Sequence, residues 1–446
     1  MTKTPPVIRD KVIVIDDDPT GSQTVHSCPL LTCWDSDTLS SALTDPAPIF
    51  FILTNTRSMT SEQAAEVTRS VCRSIRQALD RSAAAGVLVR ALFVSRSDST
   101  LRGHYPLETD IITSELGPFD AHFLVPAFFE GGRVTRGGRH YLMMDGVPVP
   151  THETEFARDS VFGYRHSYLP DYVEEKTAGR VPAAQVEKIS LADLRAGDLA
   201  RLQTLKDNVV VVVDAVQQSD LDVFCEAVRA AVATGKRFLF RSAASLLTSL
   251  AQLPPQPVAP TKMSAYARGG TGVVIVGSHV RRTTEQLRGL FEETATVPIE
   301  VNVDQCVGPG AKVLLAGIIQ RIEKAFAVNK TAVIFTSRSE RHFADGEERL
   351  RFGADISAFL MQIVQNLPRT TGFLISKGGI TSHNVLSTGL GLKTCRVLGQ
   401  VLAGCSVVRC PDTHPRYPDL PVVIFPGNVG DETSLVTVFR RLGGRS

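Results

Sequence analysis

The feature that most constrains the fold is a series of short apolar runs without alternation between apolar and polar residues. Residues 12–15, 49–53 and 209–213 consist of β-branched or large apolar side chains. Such strands are buried on both faces, which is typical of a parallel sheet covered by helices on both sides. Between the runs, apolar residues recur at helical spacing. One such segment follows Thr60, which forms a predicted capping box with Gln63. The sequence therefore predicts an α/β fold with mostly parallel sheets.

Chain length and one proline-rich stretch indicate two domains. The 446 residues exceed what a single hydrophobic core usually organises. Residues 251–270 carry four prolines followed by a glycine pair, a composition typical of a linker. We therefore expect one α/β domain over 1–250 and a second over 271–446. Residues 151–180 are polar, aromatic and irregular, which indicates an insertion or a lid.

Composition and charge exclude several classes of protein. The net charge is +2, so no global field favours nucleic acid or an anionic membrane as a partner. No apolar run approaches the roughly 20 residues of a membrane span. The first ten residues lack an apolar signal core, so we expect a cytoplasmic protein. The eight cysteines form no Cys-x-x-Cys pair and are predicted to be reduced, mostly buried thiols. A homo-oligomer is compatible with these properties.

Polar residues follow the buried strands of the N-terminal half. Asp16, Asp17 and Asp18 come after the first run, Arg57 after the second, and residues 96–102 after a third strand over 87–94. In open α/β sheets, ligands bind outside the carboxyl ends of the strands. Arginine binds a carboxylate at two points, and aspartate accepts hydrogen bonds from sugar hydroxyls and can take a proton from one. This half is therefore predicted to bind a polyhydroxy acid.

The candidate residues of this site carry acidic, basic or hydroxyl groups. The catalytic candidates are Asp18 and Asp98, and the substrate-binding candidates are Asp17, Arg57, Arg96, Ser97, Ser99, Thr100 and Arg102. The spacing also allows a simpler interpretation, in which Arg96 and Asp98 are a surface ion pair and Ser99 and Thr100 cap a helix.

Glycine-containing turns follow three buried strands of the C-terminal half. They begin at Gly277, at Gly378 and at Gly427, each before a predicted helix, the first of which has a predicted capping box of Thr283 and Gln286. Glycine lets the backbone approach an anion closely, and free helical N–H groups then bind it. Three such turns on one sheet edge would suit a nucleotide. Neither a Gly-x-x-x-x-Gly-Lys-Ser/Thr nor a Gly-x-Gly-x-x-Gly fingerprint at a first strand–helix turn is present.

Two other functions are open at this point. Asp16 and Asp18 with Thr20 also fit the first motif of haloacid-dehalogenase phosphatases, in which the first aspartate attacks phosphorus. Asp214 and Asp220 are then the nearest candidates for the downstream acid pair that such enzymes need for magnesium. A sugar-acid-binding protein without catalytic activity is the second alternative.

Several motifs resemble those of the four-carbon acid sugar kinase family, formerly a domain of unknown function. The matching segments are 17–22, 96–104, Pro126-Ala127-Phe128, Gly132-Arg133, Gly277-Ser278 with Gln286, Gly378-Gly379-Ile380-Thr381 and Gly427-Asn428. The sequence departs from the family motifs at five positions. Asp16 and Ser22 each stand in place of alanine, Arg96 in place of lysine, His104 in place of asparagine, and Ile380 where an acid is frequent.

The resemblance implies a kinase that uses ATP and Mg²⁺. It implies that the first domain binds a small acid sugar, such as threonate, erythronate, 3-oxo-tetronate or the branched 3-oxo-isoapionate. The second domain would bind ATP, and the active site would lie in the interdomain cleft. A terminal hydroxyl of the acid would be phosphorylated. The implied nucleotide-binding residues are Ser278, Gly378, Gly379, Ile380, Thr381, Gly427 and Asn428, and the metal ligands are not assigned.

Overall fold

The computed structural model describes residues 7–277, 280–338, 346–427 and 429–443 of the chain. Two compact units divide the chain, one over residues 1–254 and the other over 255–446. Each unit has a mostly parallel sheet accompanied by helices. The predicted fold class, two α/β domains with mostly parallel sheets, is therefore confirmed.

The first unit is organised around a parallel sheet. Its strands are β1 (Val7–Asp16), β2 (Cys28–Leu31), β3 (Ile49–Leu53), β4 (Val87–Arg96), β5 (Ala121–Val125), β6 (Arg133–Arg136), β7 (Arg139–Met144), β8 (Val147–Pro150), β9 (Glu187–Ile189), β10 (Val209–Val213) and β11 (Phe238–Ser242). Within residues 7–254, eight of them form the large sheet in the order β2-β3-β1-β4-β11-β5-β10-β9. The others, β6, β7 and β8, form a small antiparallel sheet.

Helices cover both faces of the large sheet. They are α1 (Ser36–Thr44), α2 (Ser61–Ala84), α3 (Leu107–Leu116), α4 (Leu169–Lys176), α5 (Leu191–Ala196), α6 (Gln218–Ala233) and α7 (Ser245–Leu250). On one face, α1, α2 and α3 bury apolar side chains in a core that includes Ile13 and Leu239. The next residue, Phe240, points to the other face because side chains alternate along a strand. There its ring centroid lies 6.4 Å from that of Phe224 in α6.

The helix predicted after Thr60 is confirmed as α2. Thr60 accepts from the Gln63 amide, and the Gln63 side chain accepts from the Thr60 amide, so the predicted capping box is present. The predicted strands are also confirmed, but three of them continue into polar residues. β1 reaches Asp16, β4 reaches Arg96 and β11 reaches Ser242, because the backbone pairing of the sheet continues regardless of side-chain polarity.

The polar and aromatic stretch over 151–180 packs into the core of the first unit. Its side chains Tyr164, Leu169 and Tyr172 are buried in a core cluster that also contains Leu101 and Tyr105. This packing favours the interpretation of the stretch as an insertion over that of a lid. Its short helical turns lie at Thr151–Glu153 and Glu155–Arg158, before α4.

The second unit has its own sheet and core. Its strands are β12 (Val273–Val276), β13 (Thr296–Val301), β14 (Thr331–Thr336), β15 (Leu374–Lys377), β16 (Thr394–Leu402), β17 (Cys405–Arg409) and β18 (Pro421–Phe425), and its helices are α8 (Arg281–Glu292), α9 (Ala311–Ala327), α10 (Gly346–Gln365), α11 (Gly379–Asn384) and α12 (Ser434–Gly443). The strand order is β13-β14-β12-β15-β18-β17-β16, with β17 and β16 antiparallel to their neighbours. The predicted strands correspond to β12, β14, β15 and β18. Sequence patterns did not predict β13, β16 or β17.

The capping box predicted for Thr283 and Gln286 is wrong. Helix α8 begins at Arg281, and its cap position, Val280, has no side-chain hydrogen bond. The Gln286 amide group instead donates to the carbonyl oxygens of Val429 and Asp431, at 3.1 and 2.7 Å. This side chain therefore connects α8 to the turn after β18.

The cysteines agree with the expectation from composition. Cysteines are free thiols throughout, and all except Cys33 are buried. In the described ranges of the chain, the helices lack the combination of length and hydropathy needed to cross a bilayer.

Candidate functional site

Parallel pairing brings the predicted acidic and basic residues of the first unit to one sheet edge. In the register, Asp16 at the end of β1 lies opposite Leu53 of β3 and Arg96 of β4. Arg96 in turn lies opposite Ser242 of β11. The loops that follow β1, β3, β4 and β11 therefore start at the same level. Their side chains form a cluster of carboxylates, guanidinium groups and hydroxyls, which we call the polar edge.

Arg57 holds three carboxylates of the polar edge. Its Nη2 lies 2.5 Å from Asp17 Oδ1 and its Nε lies 3.2 Å from Asp17 Oδ2. Its Nη1 lies 3.2 Å from Asp18 Oδ2 and 4.0 Å from Asp98 Oδ1. Burial disfavours the charged guanidinium, but the three carboxylates outweigh this effect and raise the pKa of Arg57 well above its ordinary value. Most of the binding capacity of Arg57 is therefore used within the protein.

Asp98 is a fixed, ionised carboxylate. It accepts hydrogen bonds from the Thr100 hydroxyl and from Arg102 Nε, the latter at 2.7 Å. Burial opposes ionisation, but the guanidinium groups of Arg57 and Arg102 lower the pKa of Asp98 far below its ordinary range. Asp98 is only 13% exposed and is held by Thr100, Arg102 and Arg57, so the geometry favours a positioning role for it.

Asp18 is the most accessible of the three carboxylates around Arg57. Its side chain is 21% exposed, against 13% for Asp98 and 1% for Asp17. One carboxylate oxygen accepts from the amide of Thr20 at 2.7 Å and from the Thr20 hydroxyl. Burial would raise the pKa of Asp18, but Arg57 and Arg96 lower it, so the group is ionised at neutral pH. Asp18 can therefore contact a ligand hydroxyl.

A buried ion pair contacts the polar edge through Ser97. Sequence patterns did not identify this pair. Arg241 Nη1 lies 2.6 Å from Glu108 Oε2, with both side chains at most 5% exposed. Arg241 Nη2 donates to the Ser97 hydroxyl at 2.6 Å, and this hydroxyl donates to Asp17 Oδ2 at 2.7 Å. The signal that could have identified Arg241 is its place directly after the apolar run 238–240.

Gly103 makes this close packing possible. It has a φ of +120°, and a Cβ at this position would lie 2.6 Å from Ser97 Oγ and 2.9 Å from Asp17 Oδ2. A larger residue would therefore displace the hydroxyl and the carboxylate that the buried network connects.

Side chains of a later segment hold the loop that carries Asp98 by hydrogen bonds to its backbone carbonyl groups. His140 Nε2 lies 2.7 Å from the carbonyl oxygen of Ser99, and Tyr164 and Tyr172 donate to the carbonyls of Thr100 and Leu101, each at 2.8 Å. Burial lowers the pKa of His140 to about 4, so the ring is neutral at physiological pH, and Nε2 carries the hydrogen because a carbonyl cannot donate. Three side chains from the segment 139–172 thus fix three consecutive backbone groups.

Asp16 and Arg96 form a second, fully buried pair. Arg96 Nη1 lies 3.5 Å from Asp16 Oδ1, and their side chains are 4% and 0% exposed. Asp16 Oδ2 and Arg96 Nε have no hydrogen-bond partner within the described ranges of the chain. Burial raises the pKa of Asp16 to about 8, although Arg96 opposes this shift. Arg96 is therefore directed to Asp16, and Asp16 is mostly protonated at neutral pH.

The structure thus separates the predicted residues of the first unit into two sets. The set that surrounds Arg57 or bonds to its acids is Asp17, Asp18, Ser97, Asp98, Thr100 and Arg102. Arg96 and Ser99 are buried and engaged elsewhere, Arg96 by Asp16 and the Ser99 carbonyl by His140. The alternative in which Ser99 and Thr100 cap a helix is wrong, because α3 begins only at Leu107.

In the second unit, three glycine-containing turns lie at one edge of the sheet. They follow β12, β15 and β18, which are adjacent and parallel. A Cβ on Gly277 would lie 2.5 Å from Thr381 Oγ1, so the first two turns are packed together. The Gly378 amide donates to the Phe425 carbonyl at 2.8 Å, which joins the second turn to the end of β18. Of the other predicted residues, Ile380 is 61% exposed, whereas Ser278 and Asn428 lie outside the described residues.

A buried lysine connects two of these turns. Lys377, at the end of β15, is fully buried, and its Nζ donates to the carbonyls of Pro426 and Gly427 at 2.7 and 3.1 Å. The ammonium also lies 4.0 Å from the centroid of the Phe425 ring. Burial lowers the pKa of Lys377 to about 7. The sequence pattern indicates the turn but not this side chain, whose contacts depend on the pairing of β15 with β18.

The described part of the chain offers no group of three or more His, Cys, Asp or Glu side chains that could hold a metal ion. Asp214 and Asp220, the acid pair considered for a phosphatase, have structural partners. Asp214 accepts from the amides of Gly137 and Gly138, each at 2.8 Å, and Asp220 accepts from the amides that precede α6.

Comparison with known proteins identifies both halves of the chain. Residues 12–250 match the family model of a sugar-binding N-terminal domain, and residues 273–435 match that of a nucleotide-binding C-terminal domain. The D-erythronate kinase of Heliobacterium modesticaldum (strain ATCC 51547 / Ice1) is 27% identical over 308 residues. This alignment covers 67% of the present chain and 64% of the relative, so slightly less than two thirds of the relative is matched.

Two solved structures share the fold along nearly the whole chain. A Salmonella typhimurium LT2 protein, provisionally described as a tRNA synthase, superposes with a TM-score of 0.71 at 18% identity. A Haemophilus influenzae protein from a family of unknown function gives 0.66 at 19% identity. In both comparisons, 97% of this chain and 99% of the other chain are covered. At these identities the similarity concerns the fold alone.

Gly21→Ala is expected to destabilise the first unit. A Cβ at Gly21 would lie 1.9 Å from Asp16 Oδ2, and because Asp16 is fully buried, either its side chain or the turn must shift within the core. We expect a loss of about 1–3 kcal/mol in the free energy of unfolding, as for other overpacked cores. Thermal unfolding followed by circular dichroism measures it. The control is Gly317→Ala in α9, where the added methyl meets no atom within 4 Å. Equal melting temperatures for Gly21→Ala and wild type would contradict the packing.

Asp16→Asn is expected to remove a pH-dependent loss of stability. The folded chain raises the pKa of Asp16 to about 8 from its ordinary value near 3.8. The stability from this group is therefore complete below pH ~4 and is lost as the pH rises through about 8. The variant lacks the titrating proton, so its free energy of unfolding should fall less than that of wild type between pH 5 and pH 8.

The measurement for Asp16→Asn is urea denaturation followed by the fluorescence of Trp34. This tryptophan is the only one in the chain and lies in the first unit, so it reports that unit. Asp80→Asn, on the exposed surface of α2, is the control and should show the wild-type pH dependence. Parallel pH profiles for wild type and Asp16→Asn would show that Asp16 is ionised in the folded chain.

Proposed function

This chain belongs to the four-carbon acid sugar kinase family, and on that basis we propose that it is an ATP-dependent kinase of a small acid sugar. The observation that carries the proposal is the polar edge. Its ionised carboxylates, hydroxyls and guanidinium groups lie at the carboxyl end of a parallel sheet, in a unit that matches a sugar-binding domain. The other unit matches a nucleotide-binding domain. We infer that a terminal hydroxyl of a four-carbon acid, with erythronate as the first candidate, receives the phosphoryl group.

We assign the hydroxyl-contacting role to Asp18. It is ionised, it is the most exposed of the three acids around Arg57, and its orientation is fixed by Thr20. Phosphoryl transfer requires mainly positioning and charge stabilisation, so a carboxylate that orients the hydroxyl and accepts its proton late is sufficient. Asp17 and Asp98 would position this group through Arg57. Substrate contacts of Ser97, Thr100 and Arg102 also belong to this proposal.

On the nucleotide side, the turns at Gly277, Gly378–Thr381 and Gly427 would accommodate the phosphates of ATP. Their glycines allow close approach of the backbone, and the buried Lys377 fixes the spacing of two of them. Mg²⁺ would arrive with the nucleotide, because the described residues offer no cluster of ligands for a resident metal ion. The position of the active site in a cleft between the domains, which direct transfer requires, stays a prediction.

The phosphatase alternative is not favoured by the chemistry of Asp16. An attacking aspartate must be ionised and accessible, whereas Asp16 is fully buried and its pKa is raised to about 8 by burial. The downstream acids Asp214 and Asp220 are occupied by backbone amides. A binding protein without catalytic activity is separated from a kinase by the experiment below.

Asp18→Asn is expected to abolish most of the turnover while leaving nucleotide binding intact. The amide keeps the shape of the side chain but cannot accept the proton of the hydroxyl. We expect kcat for ATP and D-erythronate to fall about 10²- to 10⁴-fold, the usual range for loss of a general base. The measurement is ADP release in the presence of each acid of a panel of four- and five-carbon sugar acids.

The control for Asp18→Asn is Asp198→Asn, which neutralises an exposed carboxylate of the same unit. It should keep wild-type kinetics. Wild-type turnover by Asp18→Asn would refute the role of Asp18. Stabilisation of the wild-type protein by sugar acids without any ADP release would instead identify a binding protein.

Lys377→Met is expected to weaken nucleotide binding specifically. The variant keeps the apolar stem but loses the two hydrogen bonds to the carbonyls of Pro426 and Gly427, so the turn after β18 loses its anchor. With its pKa near 7 the amine is only partly charged at neutral pH, so each lost hydrogen bond contributes about 0.5–1.5 kcal/mol, and the displaced turn should raise KM for ATP by up to about tenfold. Stabilisation by D-erythronate in a thermal-shift assay should not change. Lys324→Met, exposed on α9, is the matched control, and an unchanged KM in Lys377→Met would refute the anchor.

A further inference from the structure

Beside the polar edge, close enough to Asp98 for its charge to act on it, lies the guanidinium of Arg133, which has no carboxylate partner among the described residues. Arg57 contacts Asp17, and Arg96 contacts Asp16. The other partnered arginines are Arg102, with Asp98, and Arg241, with Glu108. Arg133, by contrast, has no ion pair with any described residue, and its buried Nε, like that of Arg96, has no hydrogen-bond partner there. Its Nη1 donates to the carbonyl of Gly131, two residues earlier in the chain.

The backbone fixes Arg133 beside the loop that carries Asp98. Arg133 is the first residue of β6, and it exchanges two backbone hydrogen bonds with Phe128, at 2.8 and 3.0 Å. Thr135 lies two residues further along β6, so its side chain points to the same side of the strand. Its hydroxyl lies 2.9 Å from Nδ1 of His140, and Nε2 of the same ring bonds to the Ser99 carbonyl. The face of β6 that carries Arg133 is thus connected to the polar edge.

The surroundings of Arg133 leave its charge only partly compensated. The residue is half-buried, and its guanidinium lies 5.9 Å from the centroid of the Phe128 ring. A Cβ at Gly131 would lie 2.2 Å from Arg133 Nη1, so only glycine leaves room for this arrangement. Burial lowers the pKa of Arg133, and the Asp98 carboxylate, which opposes this shift, is shared with Arg57 and Arg102. A desolvated cation without its own counter-ion is costly unless a ligand supplies one.

We propose that Arg133 determines specificity by binding the carboxylate of the acid sugar. This inference rests on the proposed function. The substrate-binding arginines predicted from sequence are Arg57, Arg96 and Arg102. Arg57 and Arg102 are paired with acids of the protein, and Arg96, only 4% exposed, is buried beside Asp16. Arg133 keeps the planar pair of donors that binds a carboxylate at two points. The substrate would then lie with its carboxylate at Arg133 and a hydroxyl at Asp18.

The proposal predicts a selective loss of affinity for acids. In the full-length protein, Arg133→Gln should raise KM for D-erythronate about 10- to 100-fold, as expected for loss of charged hydrogen bonds. KM for ATP should stay at the wild-type value. The preference for D-erythronate over erythritol, the neutral tetrol with CH2OH in place of the carboxylate, should fall by the same factor. A change of general stability would not alter this ratio.

Two further variants complete the test. Arg136→Gln neutralises the exposed arginine three residues along the same strand and should behave as wild type. Arg133→Lys keeps the charge but not the planar pair of donors, so its KM for D-erythronate should be intermediate. Arg133→Lys also keeps the test decisive if Arg133→Gln does not fold, because an unchanged KM in Arg133→Lys would overturn the proposal.

The outcomes separate the specificity of Arg133 from the kinase activity itself. If wild type turns over D-erythronate and Arg133→Gln keeps both its KM and its preference over erythritol, the inference is overturned and the proposed function stands. If wild type turns over no sugar acid, the proposed function fails. A thermal-shift assay then tests whether Arg133 binds the carboxylate. Stabilisation of wild type but not of Arg133→Gln by D-erythronate would still support carboxylate binding. Absence of stabilisation in wild type would overturn it.

Discussion

The contact on which the first unit depends most is that of one guanidinium with three carboxylates. Without Arg57, the acids Asp17, Asp18 and Asp98 would repel one another in a partly buried site. With it, all three have a common counter-ion, and Asp18 and Asp98 are held ionised. Arg57 therefore acts as an internal cation that sets the positions of the acids. This role explains why the acids can stand at the end of a buried strand.

The rest of the polar edge is rigid because its polar atoms are satisfied from distant parts of the chain. Arg241 and Glu108 support Ser97 and Asp17 from beneath the sheet edge. The loop after β4 is fixed at three consecutive carbonyls by side chains from 139–172. Polar atoms held in this way are preorganised, which is the condition for precise positioning of a reacting hydroxyl.

The buried pair of Asp16 and Arg96 also accounts for two differences between this sequence and the motifs of its family. These are two of the positions at which the sequence departs from the motifs of its family, with Asp16 in place of alanine and Arg96 in place of lysine. The structure shows that they contact each other, at 3.5 Å, and that neither is accessible to a ligand. The two differing residues thus form one pair beside the polar edge. They leave Asp17, Asp18 and Asp98 in place.

The sequence by itself determined the α/β class and the glycine turns, because uninterrupted apolar runs and turn residues depend on local chemistry. It also grouped Asp18, Arg57 and Asp98, since the ends of parallel strands share an edge. Only the tertiary structure decided which charged side chains are paired with other residues of the protein and which are not. Arg241 and Arg133 look alike in sequence, yet one is paired with a buried glutamate and the other has no carboxylate partner among the described residues. Pairing depends on residues brought together from distant positions by folding, and no local pattern records it.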